Sequence, residues 1–325
     1  IMDIKTIRKD IDHEWILFEE LLRSTLLSSS DLLNSINSYL MESTGKQIRP
    51  LLSILASKAC GIPHRLTISC AVVSEMIHTA TLLHDDVADD SRYRRGKETV
   101  QSKFNPAASV LTGDYWLARA LTLIVNEKDM DVMGYFTKAV QELSEGELFQ
   151  MQKAGTLDTT EEDYYRIIAQ KTSSLFIAAI QSAVSTMSSD QKIVEGMGRY
   201  AYHLGLAFQI KDDIFDYAPQ MNTGKPAGGD IMEKKLTLPL IAALKLATIN
   251  EREDMLESVR LAGPDDRNLA AKALELVEKY NGKQIAQYAL EEQCNKALDC
   301  LDVLPDNIYK KHLIALTKYM GSRES

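Results

Sequence analysis

The sequence predicts an all-α protein, a single domain (1–325) of helices bundled around a central cavity. Three observations carry this reading. Prolines are few, and none lies between Pro106 and Pro219; with glycines only scattered through it, so long a stretch suits long helices and not a sandwich or barrel. Apolar residues recur at helical spacing, as at positions 72, 73, 76, 77, 80 and 83. Two aspartate stripes, well over a hundred residues apart, each end an apolar helical run, and two such stripes facing each other would line a cavity with carboxylates.

Taken in order, residues 3–41 read as two amphipathic helices broken near Ser28-Ser29-Ser30, with Asp31 as N-cap, coating the bundle or meeting a partner subunit. Gly45-Lys46-Gln47-Ile48-Arg49-Pro50 leads into a helix over Leu51–Cys60. Lys46 and Arg49, three apart, can grip one anion. Leu66–Asp89 reads as one helix roughly 35 Å long. A basic loop follows it. Val110–Val125, with Gly113-Asp114-Tyr115-Trp116, reads as packing. Glu145, Glu147 and Gln150 lie on a helix over 143–152, where a buried Gln150 would need a partner. Lys171-Thr172 opens an apolar helix reaching Met187. Small residues between Ile193 and Tyr217 (Gly196, Gly198, Ala201, Gly205, Ala207) predict close helix contact. Asn222–Asp230, with three glycines and a lysine, reads as a mobile loop and a candidate lid. Residues 240–325 are amphipathic helices with a turn at Leu304-Pro305-Asp306 and no legible chemistry.

Composition narrows the function. The chain has 325 residues, 45% hydrophobic and 26% charged, and no Pro/Gly/Ser linker. A net charge of −9 without a basic stripe argues against nucleic acid. Cys60, Cys70, Cys294 and Cys300 show no metal or disulfide spacing and read as reduced core thiols, which points to the cytoplasm. No run of 18 apolar residues occurs, so no transmembrane segment is expected, and the N-terminus lacks a signal-peptide pattern.

The chemistry concentrates in Asp85-Asp86-Val87-Ala88-Asp89-Asp90, followed by Arg92, Arg94, Arg95 and Lys97. Asp85 and Asp89 share a helix face, where like charges repel and hard cations relieve them. One such cluster is an ordinary solvated helix end. Its repetition as Asp212-Asp213-Ile214-Phe215-Asp216 changes that reading, because Gln209, Asp212, Asp213 and Asp216 fall at i, i+3, i+4 and i+7 on one stripe.

These motifs resemble those of the trans-isoprenyl diphosphate synthases, and within them the long-chain polyprenyl type. Asp85-Asp86-x-x-Asp89 with Arg94-Arg95-Gly96 is similar to the family's first aspartate-rich motif, and Asp212-Asp213-x-x-Asp216 to its second; the likeness continues to Leu304-Pro305. It implies the isoprenoid synthase fold and repeated head-to-tail addition of isopentenyl diphosphate to an allylic prenyl diphosphate. It implies that Asp85, Asp89 and Asp212 ligate Mg²⁺ (three ions per site, Mn²⁺ as an alternative), supported by Asp86, Asp213 and Asp216. Lys46, Arg49, His78 and Arg95 are assigned to the homoallylic diphosphate, and Arg94, Lys171, Thr172 and Lys225 to the allylic one. Lys171 joins the aspartates as a catalytic group; Gln209 and Lys235 join the substrate contacts. Lys235 follows Lys234 where the family has Gly-Lys. His84 has no such counterpart and reads as structural. The resemblance further implies a homodimer, with the released diphosphate taking the reaction's proton.

Product length has its own signal. Short-chain members carry bulky aromatics four or five positions before the first aspartate; here those positions are Thr81 and Ala80, with Ile77 and Ser74 deeper. Room for a long tail predicts about an octaprenyl product, such as a quinone side chain, which would draw the enzyme to membranes. A shorter farnesyl or geranylgeranyl product is the alternative. A helical phosphohydrolase using His78 and His84-Asp85 leaves the second motif and Lys46/Arg49 unexplained. Terpene cyclases carry a different second metal motif, and a non-catalytic subunit would be expected to have lost aspartates.

Overall fold

The computed structural model describes residues 3–218, 227–264 and 266–322. Among these, all the regular structure is helical apart from one two-residue ladder. Local chemistry sets the boundaries. Asp3 caps α1 (Ile4–Asp10), and α2 (Asp12–Leu26) is a separate helix because Ile11, at φ −122°, leaves helical dihedrals. The N-terminal region therefore has three helices and not two. Ser30, not Asp31, caps α3 (Asp31–Met41), its hydroxyl accepting from Leu33 N at 3.3 Å. Gln47 in the left-handed region (φ 50°) opens α4 (Ile48–Cys60), and α5 (Arg65–Ala88) follows.

The basic stretch after α5 is a hairpin. β1 (Tyr93–Arg94) pairs antiparallel with β2 (Lys97–Glu98) through Arg95 and Gly96, whose φ values of 52° and 75° are those a primed two-residue turn requires. Then come α6 (Val100–Lys103), α7 (Pro106–Glu127, with proline at its start) and α8 (Met130–Thr156). A Thr160/Asp163 capping box starts α9 (Glu161–Ile168). Lys171-Thr172 does not open a helix as expected. It sits on a π-helical turn, Ala169–Ser173, between α9 and α10 (Ser174–Met187). The remaining helices are α11 (Gln191–Asp216), α12 (Gly229–Met232), α13 (Leu238–Leu246), α14 (Ile249–Leu261), α15 (Arg267–Lys279), α16 (Gly282–Cys300) and α17 (Ile308–Gly321).

The chain forms two compact units. One comprises Ile1–Val140, Leu175–Arg199 and Leu301–Ala315; the other comprises Gln141–Ser174, Tyr200–Cys300 and Leu316–Ser325. Neither is continuous in sequence, so no linker marks them. In the first, α5 is the central helix, packed against α2, α4 and α7 and burying Val72, Val73, Met76, Ile77, Ala80 and Leu83. In the second, α13 packs on α15 and α16. Leu206, Ala207 and Ile210 of α11 join the same core. The C-terminal helices thus back the second aspartate motif. By length and composition α5 and the stretch Glu161–Met187 could each cross a membrane, which a search for unbroken apolar runs passes over; 72% of each window is buried within the protein.

Among the cysteines, Cys70 and Cys294 are buried and Cys60 and Cys300 half-buried, all with free thiols. Trp116 on α7 donates its indole N–H to Asn37 Oδ1 at 2.8 Å, while Asn37 Nδ2 donates to Leu26 O at 2.9 Å. One buried amide thus joins α3, α7 and the end of α2. Asn37→Ala strands a buried donor and a buried acceptor, and is expected to cost about 2–4 kcal/mol. Urea unfolding checks this; a change within 0.5 kcal/mol contradicts it.

Candidate active site

In the first unit the three aspartates of the first motif end α5. Asp86 is buried, and Arg94 donates Nε and Nη2 to its Oδ1 at 3.0 and 2.8 Å. Gln101 Nε2 donates to the Asp86 carbonyl at 2.8 Å. Asp86 therefore anchors the hairpin to the helix end, and Arg94, expected on the allylic diphosphate, rests on it. Asp85 is half-buried and Asp89 exposed. His84 contacts the Val110 carbonyl and Asp114 and fills the space beside Gly113, a packing role as read from sequence.

The residues assigned to the homoallylic diphosphate also lie in this unit. Arg49 is buried, its guanidinium 4.7 Å from the Phe176 ring centroid. A Cβ on Gly45 would lie 1.9 Å from Arg95 Nη1, so the guanidinium packs where only glycine leaves room. Lys46 is exposed. Burial, then Arg49, Arg95 and Arg94, push the His78 imidazole well below its usual range, so it stays neutral. Glu75, one turn away and buried, is pushed up to about 7 by burial, against the pull of Arg49 and Arg95. Two residues here carried no signal in the sequence. One is Glu75. The other is Arg8, which donates Nη2 to the Lys46 carbonyl at 3.2 Å and stacks on Trp15 at 4.4 Å, bracing the Lys46 loop from α1.

In the second unit a cavity of about 150 Å³ is lined by, among others, Gln150, Tyr164, Lys171, Thr172, Gln209 and Asp213. Gly146 of α8 meets the π turn closely: a Cβ there would sit 2.7 Å from Gln170 Cβ. Lys171 Nζ donates to Gln150 Oε1 at 2.5 Å and lies 2.8 Å from Glu147 Oε1, so Gln150 has the polar partner its position demanded. Thr172 Oγ1 donates to Gln209 Oε1 at 2.8 Å, Gln209 Nε2 donates to Asp213 Oδ1 at 3.0 Å, and the Tyr164 hydroxyl donates to Asp213 Oδ2 at 2.5 Å. Burial pushes Asp213 up to about 7 while these two bonds pull it down. Asp216 accepts from the amides of Gly229 and Asp230 at 3.0 and 3.1 Å, tying α11 to the start of α12. Lys235 lines the cavity and pairs with Glu233 at 2.6 Å. Asp212 is exposed. Lys225 lies outside the described residues. Of the product-length positions, Ser74, Ile77 and Ala80 are buried in α5, and Thr81 is half-buried with its hydroxyl donating to the His78 carbonyl at 2.7 Å.

The donor set fits a hard divalent cation. Asp86, Asp213 and Asp216 accept from protein donors, while Asp85 is half-buried and Asp89 and Asp212 are exposed, so each motif, taken by itself, carries the carboxylate oxygens that such a cation takes. Among the described residues no three His, Cys, Asp or Glu side chains gather into a complete cage. Mg²⁺ does not ask for one, because it binds through one or two carboxylates and completes its shell with water and substrate phosphate.

Comparison with known proteins places the chain in a family. Residues 30–277 match the Polyprenyl synthetase family. The chain is 36% identical to octaprenyl diphosphate synthase of Escherichia coli over 92% of each chain. It is 34% identical to an all-trans-nonaprenyl-diphosphate synthase of Rhodobacter capsulatus, over 95% of this chain and 94% of that one. It superposes with a TM-score of 0.92 and 29% identity on a polyprenyl synthase of Caulobacter crescentus determined with calcium and isoprenyl diphosphate, covering 99% and 98% of the two chains.

If the subsites divide as described, Lys46→Ala and Arg49→Ala raise KM for the homoallylic diphosphate, and Lys171→Ala raises it for the allylic one. Losing a charge-assisted bond costs about 1.5–3 kcal/mol, hence roughly ten- to hundred-fold. Gly45→Ala, which displaces Arg95, should group with the first set. Steady-state kinetics with each substrate varied checks this, and equal weakening of both substrates by both groups contradicts it.

Proposed function

The chain belongs to the polyprenyl synthetase family and is a long-chain all-trans prenyltransferase, and from that premise we propose that it condenses an allylic prenyl diphosphate with successive isopentenyl diphosphates to about octaprenyl length, for a quinone side chain. The observation that carries the reading is the family match over residues 30–277, together with two aspartate motifs of which Asp86, Asp213 and Asp216 are anchored by arginine, tyrosine, glutamine and backbone amides.

Asp85, Asp89 and Asp212 would hold Mg²⁺, three ions per site with Mn²⁺ as an alternative. When bound, these ions neutralise the diphosphate that departs from the allylic carbon. Lys171, set by Gln150 and Glu147, contributes a fixed positive charge at the same leaving group. Lys46, Arg49 and Arg95 hold isopentenyl diphosphate, with His78 neutral beside them as a hydrogen-bonding group. As the allylic C–O bond breaks, a new C–C bond forms at the terminal carbon of isopentenyl diphosphate. One proton then leaves to the released diphosphate. Water would quench the allylic cation, so the reaction needs a dry, apolar site, and α5 supplies buried apolar residues before the first motif.

Two further parts of the reading rest on surface and composition. On α7, Leu111 and Val125 are 66% and 51% exposed, and with the exposed Ala118 they recur every seven residues. Such a stripe suits a second copy of the chain in a homodimer. The four free thiols suit a reducing compartment, the cytoplasm. A product of this length would draw the enzyme toward membranes.

Incubation with farnesyl and isopentenyl diphosphates and Mg²⁺ is expected to release diphosphate and yield a product near forty carbons by chromatography. No diphosphate release contradicts the activity; a product stopping at fifteen or twenty carbons contradicts the length. Ala80→Tyr places a ring one turn from the first motif, and should shorten the product while permitting the first condensations. An unchanged product from that variant contradicts the role given to Ala80.

A further inference from the structure

Tyr164 lines the cavity, is buried, carries a polar tip and has no part in the chemistry above. It is 2% exposed, and its hydroxyl donates to Asp213 Oδ2 at 2.5 Å. A buried tyrosine hydroxyl must find a partner, but this one could have been met by a backbone carbonyl; it meets instead a carboxylate of the second motif. The other oxygen of Asp213 accepts from Gln209 Nε2 at 3.0 Å. Gln209 thus turns its amide nitrogen to Asp213. That fixes Oε1 toward Thr172, whose hydroxyl donates to it at 2.8 Å. A hydroxyl has one proton, and Thr172 has spent it inside the protein. Each bond in this line sets the direction of the next, from α9 through α11 to the π turn that bears Lys171.

We propose that Tyr164 is a positioning residue for the allylic diphosphate: through Asp213 and Gln209 it fixes the hydroxyl of Thr172, and so the π turn that presents Lys171 to the anion. Thr172 then acts as the anchor of the turn, not as a hydrogen-bond donor to the diphosphate. The inference builds on the proposed reaction for the identity of its ligand. Its geometry stands within one unit of the fold. π-helical turns are rare and frequent at functional sites, and this one is held by the Thr172–Gln209 bond together with Ser173 Oγ donating to the Tyr202 carbonyl at 2.8 Å.

The test uses the full-length protein and Tyr164→Phe, which removes one oxygen and keeps the ring. Calorimetric titration with inorganic diphosphate in the presence of Mg²⁺ reads anion binding without turnover. About ten-fold weaker binding is expected, with a similar rise in KM for the allylic substrate and little change for isopentenyl diphosphate. Thr172→Val should do the same and Thr172→Ser should not. The double variant Tyr164→Phe/Thr172→Val should lose no more than either single one, because both break one line of bonds. Tyr165→Phe, next in sequence and off the line, serves as the control.

Unchanged diphosphate affinity and allylic KM in Tyr164→Phe would overturn the proposal. So would equal rises in both KM values with a lowered melting temperature, or additive losses in the double variant. If the wild-type protein condenses no prenyl diphosphates, the proposed function fails, and calorimetry still judges Tyr164 by whether its hydroxyl governs diphosphate affinity.

Discussion

A carboxylate taken out of water either finds hydrogen-bond donors for its oxygens or takes up a proton. In this protein that demand falls on Asp86, Asp213 and Asp216, and their donors set much of the surrounding structure. Arg94 on Asp86 fastens the basic hairpin to the end of α5. Tyr164 and Gln209 on Asp213 join α9 to α11. The amides of Gly229 and Asp230 on Asp216 bring the chain back to α11. Each anchored aspartate neighbours, or lies one turn from, an aspartate at the surface of the same motif. The anchored residues set the backbone; the others are the ones proposed to meet a cation. Burial raises Asp213 to about 7 and Asp230 well above the usual carboxylate range, the latter reinforced by Asp213 and Asp216, so positive charge brought near this cluster would be stabilised.

The same economy of charge appears in the first unit. Burial, with Arg49, Arg95 and Arg94, keeps His78 neutral, while Arg49 and Arg95 oppose the burial that pushes Glu75 up. A site for a dianionic group must hold surplus positive charge before its ligand arrives. Here that surplus is tempered by one buried acid, and the arginines are held by packing: Arg49 on Phe176, Arg95 against Gly45. Pre-set guanidinium groups lose little freedom when an anion binds.

How much of this was legible follows from what sequence patterns record. The helices were legible because apolar spacing and the lack of proline record them directly, and both aspartate motifs because their period matches a helix face. That Gln150 needs a partner followed from the rule for buried polar groups, though not that the partner is Lys171; His84 read as structural because the resemblance gives it no counterpart. The N-terminal break at Ile11 was not legible, since no proline or glycine marks it. The cap fell to Ser30 and not Asp31 because both are good caps and only backbone dihedrals separate them. The π turn leaves no periodic trace. Tyr164 stood seven positions before Lys171, on the same side of a helix, which with the Thr160/Asp163 capping box was the one available hint. Arg8 and Glu75 act across the fold on residues far away in sequence, and spacing records nothing of such contacts. The two units are built from interleaved segments, so no change in composition could mark them.

The central claim is that the six aspartates divide by role: Asp85, Asp89 and Asp212 ligate metal, while Asp86, Asp213 and Asp216 hold structure. The most direct test counts bound Mn²⁺ by electron paramagnetic resonance, in the presence of inorganic diphosphate, for single Asp→Asn variants at all six positions. The account predicts that variants at 85, 89 and 212 lose bound metal without losing stability, whereas those at 86, 213 and 216 keep the wild-type metal count with a lowered melting temperature. The reverse pattern, or an equal loss of metal at all six, would contradict it.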